Sequence, residues 1–236
     1  MAIDCTLHDW AVREGVCVLR LYRWDPFCLS FGRHEPVLRR YGRDRIEALG
    51  LDCVRRPTGG RMVWHARELT YALAAPDSFG SLPVAYERVH RMLLSAVSAL
   101  GADARLAPAI GRTPTPSEGA CFAVPVGGEI VVGQRKVLGS AQLRSRGAIL
   151  QHGSLLLEDD QAPVHALAGA PPDRAPEAPL SSILDRRVTF DEAADAVMRA
   201  AETWTPTWIE APVEEILSQA QVHGQKFRSE AWTWER

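Results

Sequence analysis

The run Arg55-Arg56-Pro57-Thr58-Gly59-Gly60-Arg61-Met62-Val63-Trp64-His65 decides how this chain is read. An apolar stretch, Leu49 to Val54, leads into it and reads as a strand. A second, Glu68 to Leu73, follows it and reads as another. The paired glycines permit positive φ and a close approach of backbone to a ligand. The two arginines ahead of them carry fixed forks of donors that suit a carboxylate or a phosphate. The same residues also describe an ordinary hairpin with a Gly-Gly turn and solvated arginines.

A later block separates the two readings. Gly133-Gln134-Arg135-Lys136-Val137-Leu138-Gly139-Ser140-Ala141-Gln142 precedes Leu150-Gln151-His152-Gly153-Ser154. The three motifs, RR-x-TGG-x-x-V-x-H, G-x-K-x-x-GSAQ and LQHGS, occur in that order between about Leu29 and Leu157. Together they resemble the lipoate–protein ligase and octanoyltransferase family, related in fold to biotin–protein ligases. Ser30-Phe31-Gly32-Arg33-His34 and the tail Lys226-Phe227 to Trp234 are similar to the family's acyl-pocket strand end and its last motif.

Composition sets the outer bounds. The 236 residues are 46% hydrophobic, enough for one substantial core, and the expectation is a single catalytic domain over residues 1–236. A net charge of −2 gives no general attraction for nucleic acid. No apolar run approaches the roughly 20 residues that span a bilayer, and Met1 to Trp10, with Asp4, His8 and Asp9, does not read as a signal peptide. The five cysteines are scattered without CxxC pairing or His/Cys ligand spacing, which points to a reducing cytoplasm and to no structural metal.

In order, the chain predicts a helix over 2–13, a central strand over 16–22, a strand over 27–31 and a helix over 38–49. A clear amphipathic helix is expected over 84–100, then a Pro-rich loop from Leu106 to Gly119. Three strands over 129–132, 136–143 and 148–157 follow. Two further helices are expected over 191–204, capped by Thr189 with Glu192, and over 212–221. Several strands between single helices do not alternate as βαβ units would. The fold class is therefore α+β, a large mixed sheet with helices packed on one side and a smaller sheet beside it, the architecture of the biotin/lipoate protein ligase-like catalytic domain.

The resemblance also implies a site. Cys121, at the edge of the Pro-rich loop, stands where the cysteine-dependent octanoyltransferases carry their acyl nucleophile; the other four cysteines read as packing. A thiol suits transfer of an acyl group between a thioester and an amine in two steps. Lys136 is implied as the cation that holds the acyl oxygen and favours thiolate. Arg56, Thr58, Gly59, Gly60 and His65 are implied on one wall of the substrate site. Gly139, Ser140, Ala141 and Gln142 are implied on the other, with His152 and Gly153, and His152 is a candidate base. Two departures stand out: Arg61 replaces the third glycine of the ligase motif, and Pro125-Val126-Gly127-Gly128-Glu129 replaces the usual Ser-x-Tyr-Glu run.

The activity implied is transfer of octanoyl from acyl carrier protein, through a Cys121 thioester, to a lysine of a lipoyl-carrier protein. Glycine cleavage H protein and the E2 domains of 2-oxoacid dehydrogenases are examples of such acceptors. No cofactor is needed for it. An ATP- and Mg²⁺-dependent lipoate–protein ligase working through lipoyl-adenylate is the alternative, followed by a non-catalytic member that binds the lipoyl group or carrier domain. Arg39, Arg40, Arg43, Arg45, Arg55, Arg144 and Arg146 are expected to line the mouth and to attract acidic carriers.

Overall fold

A computed structural model of the chain describes residues 1–108, 127–169, 177–205 and 207–235. Its first elements are α1 (Ala2–Glu14), β1 (Val18–Tyr22), β2 (Cys28–Phe31), α2 (Val37–Tyr41), α3 (Arg43–Glu47), β3 (Asp52–Arg55), β4 (Val63–His65) and β5 (Glu68–Pro76). Then come α4 (Leu82–Ala99), β6 (Ala104–Leu106), β7 (Ile130–Val132), β8 (Arg135–Ser145) and β9 (Ala148–Leu156). The last are α5 (Ala162–Ala168), α6 (Leu180–Ile183), α7 (Phe190–Ala201), α8 (Val213–Arg228) and α9 (Glu230–Trp234).

The strands form two sheets, one of six in the order β1-β5-β9-β8-β7-β6 and one of three in the order β3-β2-β4. Neighbours in the large sheet are all antiparallel. The parallel pairing expected of a mixed sheet occurs in the small one, between β2 and β3. β1 lies at the edge of the large sheet rather than at its centre. Its five residues are all half-buried and, among the described strands, it pairs with β5 alone, a position that strand composition does not reveal.

Helices cover both faces of the large sheet, not one. Alternate residues of β5 explain this. Leu69, Tyr71 and Leu73 point into a core with Val89, Leu93 and Val97 of α4 and Val197 of α7. Ala72 and Ala74 point the other way, against Leu7 and Ala11 of α1 and Ile216 of α8. Two alanines there leave room for α1 to lie close on the sheet. The small sheet has its own core of Leu29, Phe31, Ile46 and Met62, closed by Val164, Leu167 and Trp234.

Glycine splits the helix expected over 38–49: Gly42, with φ 76°, separates α2 from α3. Thr189 caps α7 as its sequence promised, its hydroxyl accepting from the Glu192 N–H at 3.2 Å. α8 runs further than expected and hands over to α9.

Arg55 fastens that C-terminal helix pair to the small sheet. It is fully buried, so it does not stand at a mouth. Its Nε donates to the carbonyls of Trp232 and Thr233, both at 3.1 Å, and its Nη1 to those of Gly32 and Glu35 at 2.7 and 2.9 Å. Trp232 Nε1 donates back to the Arg55 carbonyl at 2.9 Å.

The glycine-rich loop is fixed by a contact that admits no side chain. A Cβ on Gly32 would lie 1.8 Å from the carbonyl oxygen of Gly60, which has φ 91°. A Cβ on Gly59 meets nothing within 4 Å. Gly32→Ala is therefore expected to lose about 3 kcal/mol or more by urea unfolding, the severe end of overpacking, and Gly59→Ala less than about 1 kcal/mol. Equal losses at the two positions would show that the loop is not held by this contact.

Candidate active site

A slot opens between the two sheets, enclosing about 390 Å³ with its mouth included. Gly139 to Ala141 of β8 and His152 to Ser154 of β9 line one side. Arg56, Val63 and His65, from the small sheet and its loop, line the other. Met1, Tyr22, Trp24 and Thr70 complete the lining. Gly153 is a steric necessity here. A Cβ on it would lie 2.3 Å from the Gly139 carbonyl oxygen and 2.5 Å from Ser140 Oγ.

The small-sheet side is held by buried hydrogen bonds. Arg56 Nη1 donates to Ser30 Oγ at 2.5 Å and to the Ser30 carbonyl at 2.9 Å. Its Nη2 reaches the carbonyl of Arg61 at 2.7 Å and that of Gly59 at 3.3 Å, so it braces the glycine-rich loop from inside. Ser30 Oγ lies 2.5 Å from His65 Nε2, and His65 Nδ1 lies 2.7 Å from Glu68 Oε1. The same Glu68 oxygen accepts from Ser154 Oγ at 2.9 Å and from Thr70 Oγ1. Trp24 stacks on His65 at 4.4 Å and donates to Thr70 Oγ1 at 2.9 Å. Glu68 thereby ties β5, β9 and the small sheet together.

On the opposite wall, His152 sits between Thr58 and Asp4. Its Nε2 is 2.6 Å from Thr58 Oγ1 and its Nδ1 is 3.2 Å from Asp4 Oδ2. Burial holds the imidazole below its ordinary pKa, although Asp4 pulls the other way. Burial also opposes charge on Asp4, but the Met1 ammonium, His152 and Arg20 outweigh it and keep the carboxyl well below the usual range.

Behind β8 runs a second chain of bonds. Gln142 Nε2 donates to Gln151 Oε1 at 2.8 Å, and Gln151 Nε2 to Tyr71 OH at 2.8 Å. Tyr71 OH lies 2.6 Å from Ser140 Oγ, which lies 2.8 Å from His90 Nε2. His90 Nδ1 lies 2.6 Å from the Gly128 carbonyl. Burial, with the charge of Lys136 beside it, lowers the His90 pKa to about 4. The neutral ring therefore donates from Nδ1 and accepts from Ser140 at Nε2.

Lys136 is fully buried, its ammonium donating to Glu129 Oε1 at 2.6 Å. The two face each other across the β7–β8 hairpin, where a bulge shifts the register between Ile130 and Val131. Among the described residues no three or more His, Cys, Asp or Glu side chains converge as metal ligands would. Nor is any described helix long and apolar enough to cross a membrane.

Residues 1–202 match the lipoyl protein ligase A/B catalytic domain. Octanoyltransferase LipM of Bacillus subtilis is 34% identical over 264 residues, covering 100% of this chain and 93% of the relative. The chain belongs to the lipoyl protein ligase A/B catalytic-domain family. Its fold is that of the lipoate–protein ligases. Lipoate-protein ligase A bound with ATP superposes with a TM-score of 0.78 at 21% identity, covering 99% of this chain and 93% of that one. A bi-partite lipoate protein ligase from Thermoplasma acidophilum, studied with its E2 lipoyl domain, gives 0.72 at 20% identity over 98% and 91%.

Against that family frame, the structure brings Arg56, His65, Gly139, Ser140, Ala141, His152 and Gly153 together around the slot. Thr58 meets it through His152. Gly59 and Gly60 shape the loop and are not among the lining residues. Gln142 is not either: the alternation of β8 turns it, like the Ser140 hydroxyl, toward α4, where it donates to the Leu82 carbonyl at 3.1 Å. Lys136, placed by the resemblance at the acyl oxygen, is buried beside Glu129 and does not line the slot. Cys121 lies outside the described residues.

The expected arginine-lined mouth is not formed as such. Arg43 pairs with Glu47 and Glu230, Arg144 with Asp77, and Arg146 with Asp9, while Arg45 donates to the Ala166 carbonyl. Of the cysteines read as packing, burial raises Cys5 to about 11 and Cys53 to about 12. Cys28 is raised further still.

Asp4, Glu68, His90 and Glu129 were not foreseen from the sequence, while Ser30 and Gln151 lie inside motifs that were, without a role assigned to them. Two of the unforeseen residues left a trace. Asp4 falls on the apolar face of α1 with Leu7 and Ala11, and Glu68 opens the otherwise apolar strand β5 three residues after His65.

The Lys136–Glu129 pair yields a test. Removing one partner of a buried ion pair strands the other and costs about 3–5 kcal/mol, whereas an apolar pair in its place is often neutral. Lys136→Met is expected to show that loss in denaturant unfolding. Adding Glu129→Leu is expected to recover most of it without restoring activity. A fully active double variant would assign Lys136 to stability alone.

Proposed function

We propose that this chain is an octanoyltransferase, which moves octanoyl from acyl carrier protein to a lysine of a lipoyl-carrier protein in the cytoplasm, with residues 1–236 as one catalytic domain. The observation that carries this is the full-length similarity to octanoyltransferases, whose three motifs here converge on one slot. H protein of glycine cleavage and the E2 domains of 2-oxoacid dehydrogenases are the acceptor class.

The slot suits a medium acyl chain. Gly139, Ala141 and Gly153 present backbone and a methyl group rather than bulk, and Val63 and Tyr22 give apolar surface. The octanoyl group arrives as a thioester and so is already activated; nucleotide and metal are not required for its transfer. Cys121 is the nucleophile. Its sulfur forms a new C–S bond to the octanoyl carbonyl while the bond to the carrier thiol breaks, and the proton passes to the departing sulfur. The acceptor amine then attacks that thioester, forming the amide and returning the thiol. Lys136, ion-paired with Glu129 outside the slot lining, is the cation we assign to the thiolate and the developing oxyanion.

Mass spectrometry after incubation with octanoyl-acyl carrier protein tests the reading. The expected result is a gain of one octanoyl group, released by hydroxylamine, absent in Cys121→Ser and discharged by a lipoyl domain. Wild-type and Cys121→Ser proteins that both require ATP to modify the domain with lipoate would instead make the chain a ligase.

A further inference from the structure

One imidazole joins three distant parts of the chain. Asp4 belongs to α1, Thr58 to the glycine-rich loop and His152 to β9, and the two contacts of the ring span 148 and 94 residues of sequence. Asp4 is fully buried although it lies on the apolar face of α1. An apolar residue would pack there without the cost of desolvating a charge. That cost is offset by three partners: Arg20 Nη1 donates to Oδ1 at 2.7 Å, Tyr22 OH donates to Oδ2 at 3.3 Å, and His152 Nδ1 approaches Oδ2.

An ionised carboxylate only accepts hydrogen bonds. The proton of neutral His152 therefore resides on Nδ1, and the lone pair at Nε2 faces Thr58 Oγ1, which donates to it. We propose that Asp4 is a positioning residue that fixes His152 as the proton acceptor of the slot, with its basic nitrogen at Nε2. The inference rests on the acyl-transfer reading above. The acceptor lysine's amine attacks the thioester carbonyl, an N–C bond forms and the C–S bond breaks. The surplus proton on nitrogen passes to His152 Nε2 in place of the Thr58 hydroxyl. The electron pair leaves on sulfur, and the thiolate then takes that proton, restoring neutral His152.

Charged groups around the ring set the pH response. Asp4 faces it from α1 and Arg56 from the loop after β3, with the Met1 ammonium also near; Arg20 and Tyr22 of β1 stand behind Asp4. Burial lowers the His152 pKa and Asp4 raises it, so transfer is expected to fall as pH drops through a value below 6.5. Without Asp4 the ring loses its raising partner, and that limb moves to still lower pH while the plateau falls.

The proton position can be read directly. Long-range ¹H–¹⁵N spectra of the full chain, with His152→Gln for assignment, are expected to show a neutral His152 protonated at Nδ1. Single-turnover discharge of octanoyl to a lipoyl domain is expected to slow about 100-fold in Asp4→Asn, the lower end of acid–base contributions. KM is expected to change less than about twofold, and Asp4→Glu to recover part of the rate. A wild-type ring protonated at Nε2 overturns the proposal, even if Asp4 variants fail to fold. So does an Asp4→Asn variant with unaltered rate and pH profile. A wild-type protein that never transfers octanoyl refutes the acyl-transfer reading instead, while the ring spectrum still decides the arrangement of Asp4 and His152.

Discussion

Two sheets with separate cores have to face each other across a slot, and buried hydrogen bonds hold them there. Apolar contact between them is thin at this place, carried by Val63 against Leu156. The rest is polar: Thr58 to His152, Ser154 to Glu68 and on to His65 and Ser30, all buried. Such bonds are directional, and leaving one buried partner unmatched costs more than making the bond gains. The seam therefore fixes the width of the slot in a way that interchangeable apolar side chains would not.

The charges follow from that constraint. Ionisable groups beside the slot are taken out of water and must be balanced locally. Asp4 has Arg20, and Lys136 has Glu129. Among the described residues His90 has neutral partners and a cation nearby, so it stays uncharged. Charges and dipoles held in place in this way reduce rearrangement when an acyl carbonyl enters.

Much of this was legible in the sequence. The three motifs brought Arg56 and His65 to one wall and Gly139, Ala141, His152 and Gly153 to the other, whereas the backbone contacts that demand glycine at 32 and 153 are visible only in the structure. The hairpins of β7, β8 and β9 match the three strands expected over 129–132, 136–143 and 148–157, with Gly133 and Gly147 at positive φ in the turns between them. What escaped depends on distant partners. Nothing near Asp4 announces His152, and nothing near His90 announces Ser140. The edge position of β1 and the two-faced covering of the large sheet depend on pairing order, which composition does not encode. The arginines misled for a related reason: Arg55 looks solvated until its buried partner at Trp232 comes into view, and Arg43, still partly exposed, is held by Glu230.

The central claim is that the space between Gly139–Ala141, Gly153 and the Arg56–His65 wall holds the octanoyl chain. A crystal structure of the protein loaded with octanoyl from its carrier tests it most directly. The account predicts the hydrocarbon lying in that slot, over Gly139 and Gly153, with the acyl carbonyl on the His152 side. A chain seated instead in the groove bounded by Cys53, Phe227 and Trp234 would contradict it.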